Sequence, residues 1–214
     1  MTIYICGDST AASYTPEQAP ITGWGQVLDQ YLPGAHVDNR ARGGRSTKSF
    51  LSEGRLQDIE KTLAAGDLLL IQFTHNDGSD LVWRHTDPWT SFMSNLAIYV
   101  NTARLYGAQP VLLTPICRRY WRDGVLQPSH GDYPDAVRTV ACTMGVPMID
   151  VYRKSFELVT QLGDEASKKL FMHVPAGVYP AYPDGQTDDT HTQRAGAEAF
   201  AQIAADGLRG FGLV

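Results

Sequence analysis

The chain begins with Thr2-Ile-Tyr-Ile-Cys-Gly-Asp-Ser-Thr-Ala-Ala12, an apolar and partly β-branched run that stops at a glycine. Such a run predicts a buried strand, with Ser9 at its carboxyl end. Ligands of an open parallel sheet bind outside the carboxyl ends of its strands, so a serine at this point is well placed for chemistry. The same Asp-Ser-Thr is also typical of a turn or a helix cap, because short side-chain oxygens accept hydrogen bonds from free backbone N–H groups.

Strand-like and helix-like stretches alternate along the rest of the chain. Further strands are predicted at residues 36–39, 67–73, 111–114 and 147–151, and helices at about 24–31, 56–63, 92–103, 137–144 and 192–208. Five strands separated by helices predict an α/β fold, a flavodoxin-like three-layer sandwich in which helices flank a five-stranded parallel sheet. With 214 residues and no internal repeat or linker, residues 1–214 are expected to form a single domain.

Composition narrows the classes of partner. A formal net charge of −5 gives no basic footprint, so no nucleic-acid partner is expected. No apolar run approaches the roughly 20 residues that span a bilayer, so no membrane partner is expected either. The chain has three cysteines and no CxxC spacing, and its first predicted strand follows Met1 directly. Both features favour a cytoplasmic protein, and a secreted mature form is left open. The oligomeric state is not indicated.

A serine hydroxyl is a weak nucleophile and needs a neighbouring base. Among six histidines, only His191 lies in a segment with clear acid–base logic, Asp188-Asp-Thr-His191, just before the last predicted helix. On a turn, the Asp188 carboxylate can accept the imidazole Nδ1–H and leave Nε2 free to act as a base. The same residues could instead cap the helix, or His173, Asp184, Asp188 and His191 could gather around a metal ion. Their spacing matches no familiar ligand pattern, so no metal and no cofactor are predicted.

Four sequence blocks resemble those of the SGNH (GDSL) hydrolases. The blocks are Gly7-Asp8-Ser9, Gly44, His75-Asn76-Asp77 and Asp188-x-x-His191, and their order and spacing agree over nearly the whole chain. Within that superfamily the chain is most similar to the rhamnogalacturonan acetylesterases. The supporting motifs are Gly-Asp-Ser-Thr, Gly44-Arg45-Ser46, Asn76-Asp77-Gly78 and Pro180-x-x-Pro183-x-Gly185 leading into Asp188. Each motif is weak alone, but four blocks in this order at predicted strand ends are specific.

The resemblance implies a serine esterase with a Ser-His-Asp triad. Ser9 would attack the ester carbonyl, His191 would take its proton, and Asp188 would orient His191. The oxyanion would be held by the backbone N–H groups of Ser9 and Gly44 and by the side-chain amide of Asn76. The chain departs from the family pattern at Thr74, where the third block usually has glycine.

The expected substrate is an acetylated oligosaccharide that is pectin-derived and of the rhamnogalacturonan type. Flat aromatic faces suit sugar rings, and arginines beside aromatics suit a uronate carboxylate. The run Arg118-Arg-Tyr-Trp-Arg122 follows the fourth predicted strand directly. The substrate-binding residues predicted on these grounds are Trp83, Arg119, Trp121, Arg122 and Tyr182, and Arg45 and Arg84 are candidate additions to this patch. Loop packing and solvated ion pairs are the alternative explanation for all of them.

Three other functions fit parts of the sequence. A xylan-type acetylesterase, a lipase or a thioesterase would use the same triad, although the polar, aromatic loops suit an acyl chain poorly. A non-catalytic carbohydrate-binding protein could share the fold, since fold does not fix function. An aspartyl phosphotransferase built on Asp8 is weaker, because Asp-Ser-Thr lacks the second carboxylate that a magnesium site needs.

Overall fold

The computed structural model describes residues 1–214, and its centre is a five-stranded parallel sheet. The strands are β1 (Thr2–Gly7), β2 (His36–Asn39), β3 (Leu68–Gln72), β4 (Gln109–Leu113) and β7 (Met148–Ile149). Their order in space is β2-β1-β3-β4-β7, and every pair is parallel. This order places the crossovers as in flavodoxin-like folds, and it confirms the predicted five-stranded parallel sheet.

Helices cover both faces of the sheet. They are α1 (Thr47–Ser52), α2 (Arg55–Glu60), α3 (Met93–Leu105), α4 (Tyr133–Met144), α5 (Val151–Ser167) and α6 (Arg194–Gly210). No helix is long and apolar enough to cross a bilayer. Two antiparallel hairpins complete the elements: β5 (Trp121–Arg122) with β6 (Val125–Leu126), and β8 (Phe171–Val174) with β9 (Gln186–Thr192).

Successive residues of the buried strands face opposite layers. Ile3 and Ile5 of β1 join one apolar cluster, whereas Tyr4 and Cys6 join the other. The first cluster packs the sheet against α5, α6 and the segment around Trp24, and the second packs it against α1, α2, α3 and α4. Strands that are buried on both faces need near-continuous apolar runs, which is why β1 and β3 were visible in the sequence.

The fold differs from the sequence prediction in several places, and the short strands β5, β6 and β8 were not predicted. The helix expected at residues 24–31 is two short 3₁₀ turns, Trp24–Gln26 and Leu28–Tyr31. Gly23 precedes these turns and lies close to the first loop, since a Cβ there would come within 2.2 Å of the Ala12 carbonyl oxygen. Helix α5 was not predicted, because Ser155 interrupts its buried stripe of Val151 and Val159, and because the backbone breaks at Gly163 (φ +77°).

The segment that carries Asp188 and His191 is a strand, not the turn that was expected. β9 pairs with β8 through Met172 and Asp188, but the next pair along β8 is Phe171 with Thr192. An advance of one residue along β8 therefore corresponds to four residues along β9, and residues 189–191 form a wide bulge. In a regular strand, residues three apart point to opposite faces. The bulge removes that restriction and lets both side chains face the same site.

Candidate active site

Ser9 lies in the turn that follows β1 and is joined to His191 by a hydrogen bond. The Ser9 Oγ and His191 Nε2 atoms are 2.8 Å apart. The buried Asp8 stabilises this turn, because its Oδ1 accepts hydrogen bonds from the backbone N–H and the hydroxyl of Thr10. The Tyr14 hydroxyl donates to the Ser9 carbonyl oxygen at 2.7 Å and ties the next loop to the same turn. The serine side chain is therefore held at the carboxyl edge of the sheet.

Asp188 engages His191 from the side opposite Ser9. The His191 Nδ1 and Asp188 Oδ2 atoms are 2.6 Å apart, while Asp188 Oδ1 accepts from the backbone N–H groups of Thr190 and His191. The hydrogen bond to Asp188 raises the pKa of His191 above its usual value, although burial opposes this. Burial alone would raise the pKa of Asp188, but the hydrogen bonds from His191 and Thr190 outweigh it and hold that pKa well below its usual range.

Two backbone N–H groups beside Ser9 make no hydrogen bond within the protein. They belong to Ser9 itself and to Gly44, in the loop after β2. Gly44 has φ +78°, a left-handed conformation that glycine adopts without strain. A Cβ at this position would meet no protein atom within 4 Å, so within the protein it is the backbone conformation that requires glycine. Both amides can act as donors to a ligand in the Ser9 cavity.

The Asn76 side chain is fixed by two neighbours in the loop after β3. Its Nδ2 donates to the Arg45 carbonyl oxygen, and its Oδ1 accepts from Arg84 Nη1, each at 3.0 Å. A guanidinium has donors only, so the amide oxygen must face Arg84 and the NH₂ group must face away from it. The second Nδ2–H is therefore available as a donor beside Ser9.

Asp77 anchors the same loop from the buried side. Its carboxylate accepts from the Thr47 backbone N–H at 3.0 Å, from the Thr47 hydroxyl at 2.5 Å and from the Thr86 hydroxyl at 3.0 Å. Burial raises the pKa of Asp77 to about 7, against the opposing effect of these donors. The carboxylate thus joins the start of α1 to the loop that carries Asn76.

A cavity of about 540 Å³ opens over these groups. Its lining consists of Ser9, Tyr14, Ile21, Gly43, Gly44, His75, Asn76, Arg118, Asp188, Thr190 and His191. The volume is typical of small-molecule sites, which span roughly 300–1,000 Å³. All five residues predicted for the triad and the oxyanion site border this one cavity.

Arg119 does not have the substrate-binding position that the sequence predicted. Its side chain is only 6% exposed, and its guanidinium is held by Asp164, Asp189 and Ser167. The Arg119 backbone N–H also donates to the Asp189 carbonyl oxygen at 2.8 Å. Because its guanidinium is hydrogen-bonded on several sides, Arg119 has no free pair of N–H donors for a substrate carboxylate. The prediction for Arg119 is therefore corrected: the residue supports the β9 bulge.

The other four predicted substrate-binding residues lie outside the lining of the Ser9 cavity. Trp83 is half exposed beside Arg84, and Trp121 packs partly buried against the core. Arg122 is exposed, donates to the Tyr120 hydroxyl and lies over the Tyr120 ring. Tyr182 is half-buried in a short loop bridged to Tyr179. Their contact with a substrate stays a prediction.

Three residues that line the cavity are not among the predicted site residues: Tyr14, His75 and Arg118. Side chains alternate along an extended segment, so Arg118 and Arg119 point in different directions, and sequence alone did not tell which one faces the site. His75 adjoins Asn76 in the third block, which is a signal that could have been used. For Tyr14, a loop tyrosine five residues from Ser9, we find no usable signal.

The comparisons with known proteins agree with this architecture. The chain belongs to the GDSL-like lipase/acylhydrolase family, whose model matches residues 5–199. It is 41% identical over 213 residues to the rhamnogalacturonan acetylesterase RhgT of Bacillus subtilis (strain 168), covering 99% of this chain and 90% of that protein. It is 37% identical to YesY, a probable rhamnogalacturonan acetylesterase of the same strain, covering 99% and 94%. The family resemblance inferred from the four blocks is confirmed.

Solved structures share the fold. The crystal structure of YXIM from Bacillus subtilis matches with a TM-score of 0.83 at 28% identity, over 99% of this chain and 56% of that one, so this chain spans about half of its length. Axe2, an acetylxylan esterase from Geobacillus stearothermophilus, matches with a TM-score of 0.68 at 15% identity, over 99% and 94%. The second match is a likeness of fold alone.

Proposed function

We propose that this protein is a carboxylic ester hydrolase that removes O-acetyl groups from carbohydrates, in one domain that spans residues 1–214. The observation that carries the proposal is the hydrogen-bonded series Ser9–His191–Asp188, with contacts of 2.8 Å and 2.6 Å, at the wall of a cavity with free N–H donors. A nucleophile joined to a base, and a base joined to an orienting carboxylate, is the arrangement that acyl transfer needs.

The proposed reaction has two halves. Ser9 Oγ attacks the acetyl carbonyl while His191 Nε2 takes the hydroxyl proton, and the developing imidazolium is stabilised by Asp188. The oxyanion forms beside the N–H groups of Ser9 and Gly44 and the Asn76 amide. His191 then returns the proton to the leaving sugar oxygen, which leaves an acetyl-enzyme. In the second half, His191 activates a water that releases acetate and restores Ser9.

We assign the substrate to pectin-type, rhamnogalacturonan-derived oligosaccharides. The support is the 41% identity to RhgT and the 37% identity to YesY, which carry that activity in their names. The cavity lining is mostly polar, which suits a sugar better than an acyl chain. A cytoplasmic location stays a prediction, in keeping with three cysteines that form no disulfide.

The decisive experiment measures acetate release by the wild type and by Ser9→Ala. The substrates are acetylated rhamnogalacturonan oligosaccharides, acetylated xylo-oligosaccharides and p-nitrophenyl acetate. Loss of a serine nucleophile lowers kcat by about 10⁴-fold or more, so we expect Ser9→Ala to be inactive on all three. The matched control is Ser13→Ala, an exposed serine four residues further along the chain.

Two results would contradict the proposal. Acetate release that persists in Ser9→Ala would remove the nucleophile assignment. A wild type that binds the oligosaccharides but turns over none of the three substrates would favour the carbohydrate-binding alternative. A preference for the xylo-oligosaccharides would keep the esterase and change the sugar.

A further inference from the structure

A second cavity, of about 460 Å³, adjoins the Ser9 cavity. His75 and Arg118 line both, so the two cavities share a wall. The remaining lining comes from the loop after β3, which carries Arg84, and from the segment before α4, which carries Ser129. We call this second cavity the Arg84–Arg118 pocket. It is large enough for a sugar unit and lies next to the proposed nucleophile.

The two guanidinium groups in this pocket are only partly hydrogen-bonded. Arg84 uses Nη1 on Asn76, and Arg118 uses Nη2 on the His75 carbonyl oxygen at 3.2 Å. Both Nε–H groups are buried and make no hydrogen bond with the protein, and the buried Ser129 hydroxyl makes none either. A buried donor without an acceptor costs roughly 1–3 kcal/mol, and more when it is charged. The outer nitrogens Arg84 Nη2 and Arg118 Nη1 make no hydrogen bond with the protein and are not among its buried atoms, so they are the donors that the lining offers to a ligand.

The charges in the pocket favour an anion. Burial lowers the pKa of His75 and His130 well below the usual histidine range, so both rings are neutral near pH 7. The His130 Nε2 is also occupied by the Ile116 carbonyl oxygen at 2.9 Å. Two guanidinium charges remain, against one acidic lining residue, the exposed Asp80. A carboxylate fits this balance, because guanidinium groups bind its two oxygens in a planar fork.

We propose that the Arg84–Arg118 pocket binds the carboxylate of a hexuronate unit in the same oligosaccharide whose acetyl ester Ser9 attacks. The proposal rests on the proposed function and adds the position of the acidic sugar. A uronate in this pocket places its neighbouring ester over the shared wall formed by His75 and Arg118. In this proposal the carboxylate is bound by Arg84 and Arg118, and not by Arg119, whose guanidinium is held by Asp164 and Asp189.

The experiment compares two forms of one substrate, because a general loss of activity in a variant cancels in the ratio of the two kcat/KM values. Acetylated galacturonate-containing oligosaccharides are used with free carboxylates and after methyl esterification, and acetate release gives kcat/KM for each form. We expect the wild type to prefer the free acid by roughly 10- to 100-fold, the size of one or two hydrogen bonds between charged groups. In Arg118→Gln this ratio should fall towards one. Arg84→Gln should lose activity on both forms as well, because Arg84 also holds Asn76.

Arg153→Gln is the control, since Arg153 is exposed on α5 and pairs with Glu157. It should keep the wild-type ratio, and p-nitrophenyl acetate reports the esterase itself in every variant. A wild-type ratio near one, with p-nitrophenyl acetate still hydrolysed, would overturn the pocket and leave the esterase. A fall in the ratio for Arg122→Gln but not for Arg118→Gln would move the carboxylate to the β5–β6 hairpin and overturn it too.

A binding measurement decides the proposal without turnover. Calorimetry on Ser9→Ala should show that the free-acid oligosaccharide binds more tightly than its methyl ester, and adding Arg118→Gln should abolish that difference. Equal binding of both forms by Ser9→Ala would overturn the pocket, whatever the outcome of the esterase assay. Competition separates the sources of a carboxylate: galacturonate should displace the oligosaccharide at concentrations where acetate does not. Equal competition by acetate would show a site for any small carboxylate and would also overturn the uronate assignment.

Discussion

At the scale of single residues, Thr74 is the clearest departure from an unstrained backbone. It has φ +144°, a region that L residues rarely adopt, and it stands where the family pattern has glycine. Such conformations cost about 1–3 kcal/mol and persist where the surrounding structure enforces them. The Thr74 hydroxyl is also buried without a hydrogen-bond partner. The departure noted in the sequence therefore corresponds to strain directly before His75 and Asn76.

This strain predicts an inverted order of stability at position 74. At an ordinary position, glycine is less stable than alanine by roughly 0.5–1 kcal/mol. At Thr74 we expect Thr74→Gly to be more stable than Thr74→Ala by about 1 kcal/mol, because only glycine relieves the backbone. Urea unfolding of the two variants measures the difference. The control pair is Thr114→Gly and Thr114→Ala, at the end of the neighbouring strand β4, where the alanine variant should be the more stable one. If the alanine variant were also the more stable one at position 74, the backbone of Thr74 would not be strained.

The pKa of His191 sets the acid side of the activity profile. The imidazole must be neutral to take the Ser9 proton, and the hydrogen bond to Asp188 raises its pKa above 6.5. Activity should therefore rise with pH and reach half its maximum above pH 6.5. The measurement is kcat/KM for p-nitrophenyl acetate between pH 5 and pH 9. A midpoint at or below 6.5 in the free enzyme would contradict the pairing of His191 with Asp188.

At the scale of elements, the strands and helices that could be predicted from the sequence are those marked by a run or a regular spacing of apolar residues. β1 and β3 are near-continuous apolar runs, and the second half of α4 repeats at helical spacing, so these were correctly located. The β9 bulge was not, because residues 189–191 carry polar side chains and their register depends on the partner strand β8. Arg119 was misassigned for the same reason: its partners Asp164 and Asp189 lie 45 and 70 residues away. Periodicity reports local structure, whereas these features depend on long-range contacts.

The bulge separates the roles of its two aspartates. Asp188 hydrogen-bonds to His191, whereas Asp189 accepts from Arg119 Nη1 at 2.8 Å and lies 2.7 Å from His173 Nε2. We expect Asp188→Asn to lower kcat by about 10⁴-fold, because the imidazole loses its orientation and its counter-charge. It should also lower the free energy of unfolding, because the lowered pKa of Asp188 means that its carboxylate stabilises the fold. Asp189→Asn should cost about 1 kcal/mol of unfolding free energy, since its half-exposed carboxylate is partly screened, and should change kcat less than tenfold.

Steady-state kinetics and urea unfolding on the same two preparations separate these effects. Glu198→Gln, a half-exposed residue in the first turns of α6, is a control that should leave both quantities unchanged. The reverse ranking of the two aspartates in kcat, at equal stability, would assign the orienting carboxylate to Asp189.

The Arg84 contact gives Asn76 a testable orientation. If the amide NH₂ faces the oxyanion, Asn76→Ala should lower kcat by roughly 10²–10³-fold and leave KM nearly unchanged, because the donor acts mainly when charge develops on the oxygen. Asn76→Asp is the matched comparison: it can keep the contact to Arg84 but replaces the donor with a charged acceptor, so it should be at least as slow. A change confined to KM would make Asn76 a substrate-binding residue instead.

At the scale of the whole molecule, the carboxyl edge of the sheet collects buried titratable groups. Burial raises the pKa values of Asp8 and Asp77 and lowers those of His75 and His130. Burial also raises the pKa values of Cys6, Tyr99 and Cys117 in the two apolar layers, but those groups are uncharged near pH 7. Ionising the groups at the carboxyl edge opposes folding, so the edge that holds the site carries a cost in stability. This is the trade-off expected between activity and stability.

Asp77 allows this trade-off to be measured. Its pKa is about 7 in the folded protein and about 3.8 when unfolded, so the folded state binds more protons between these values. The contribution of Asp77 to stability therefore falls as pH rises from about 4 to 7, whereas the neutral His75 and His130 act in the opposite direction. Asp77→Asn removes only the first effect. The free energy of unfolding of Asp77→Asn, relative to the wild type, should thus increase from pH 5 to about pH 7 and level off towards pH 8.

Urea unfolding at four pH values measures this difference, and the histidines cancel because both proteins contain them. The variant can start less stable, since an amide accepts more weakly from Thr47 and Thr86, but that loss does not depend on pH. Asp58→Asn is the control: the pKa of this exposed carboxyl lies below its usual value through the Lys61 contact, so its line should stay parallel to the wild type. Parallel lines for Asp77→Asn as well would mean that its three donors keep the Asp77 carboxylate ionised throughout, and that burial at this edge of the sheet does not oppose its charge.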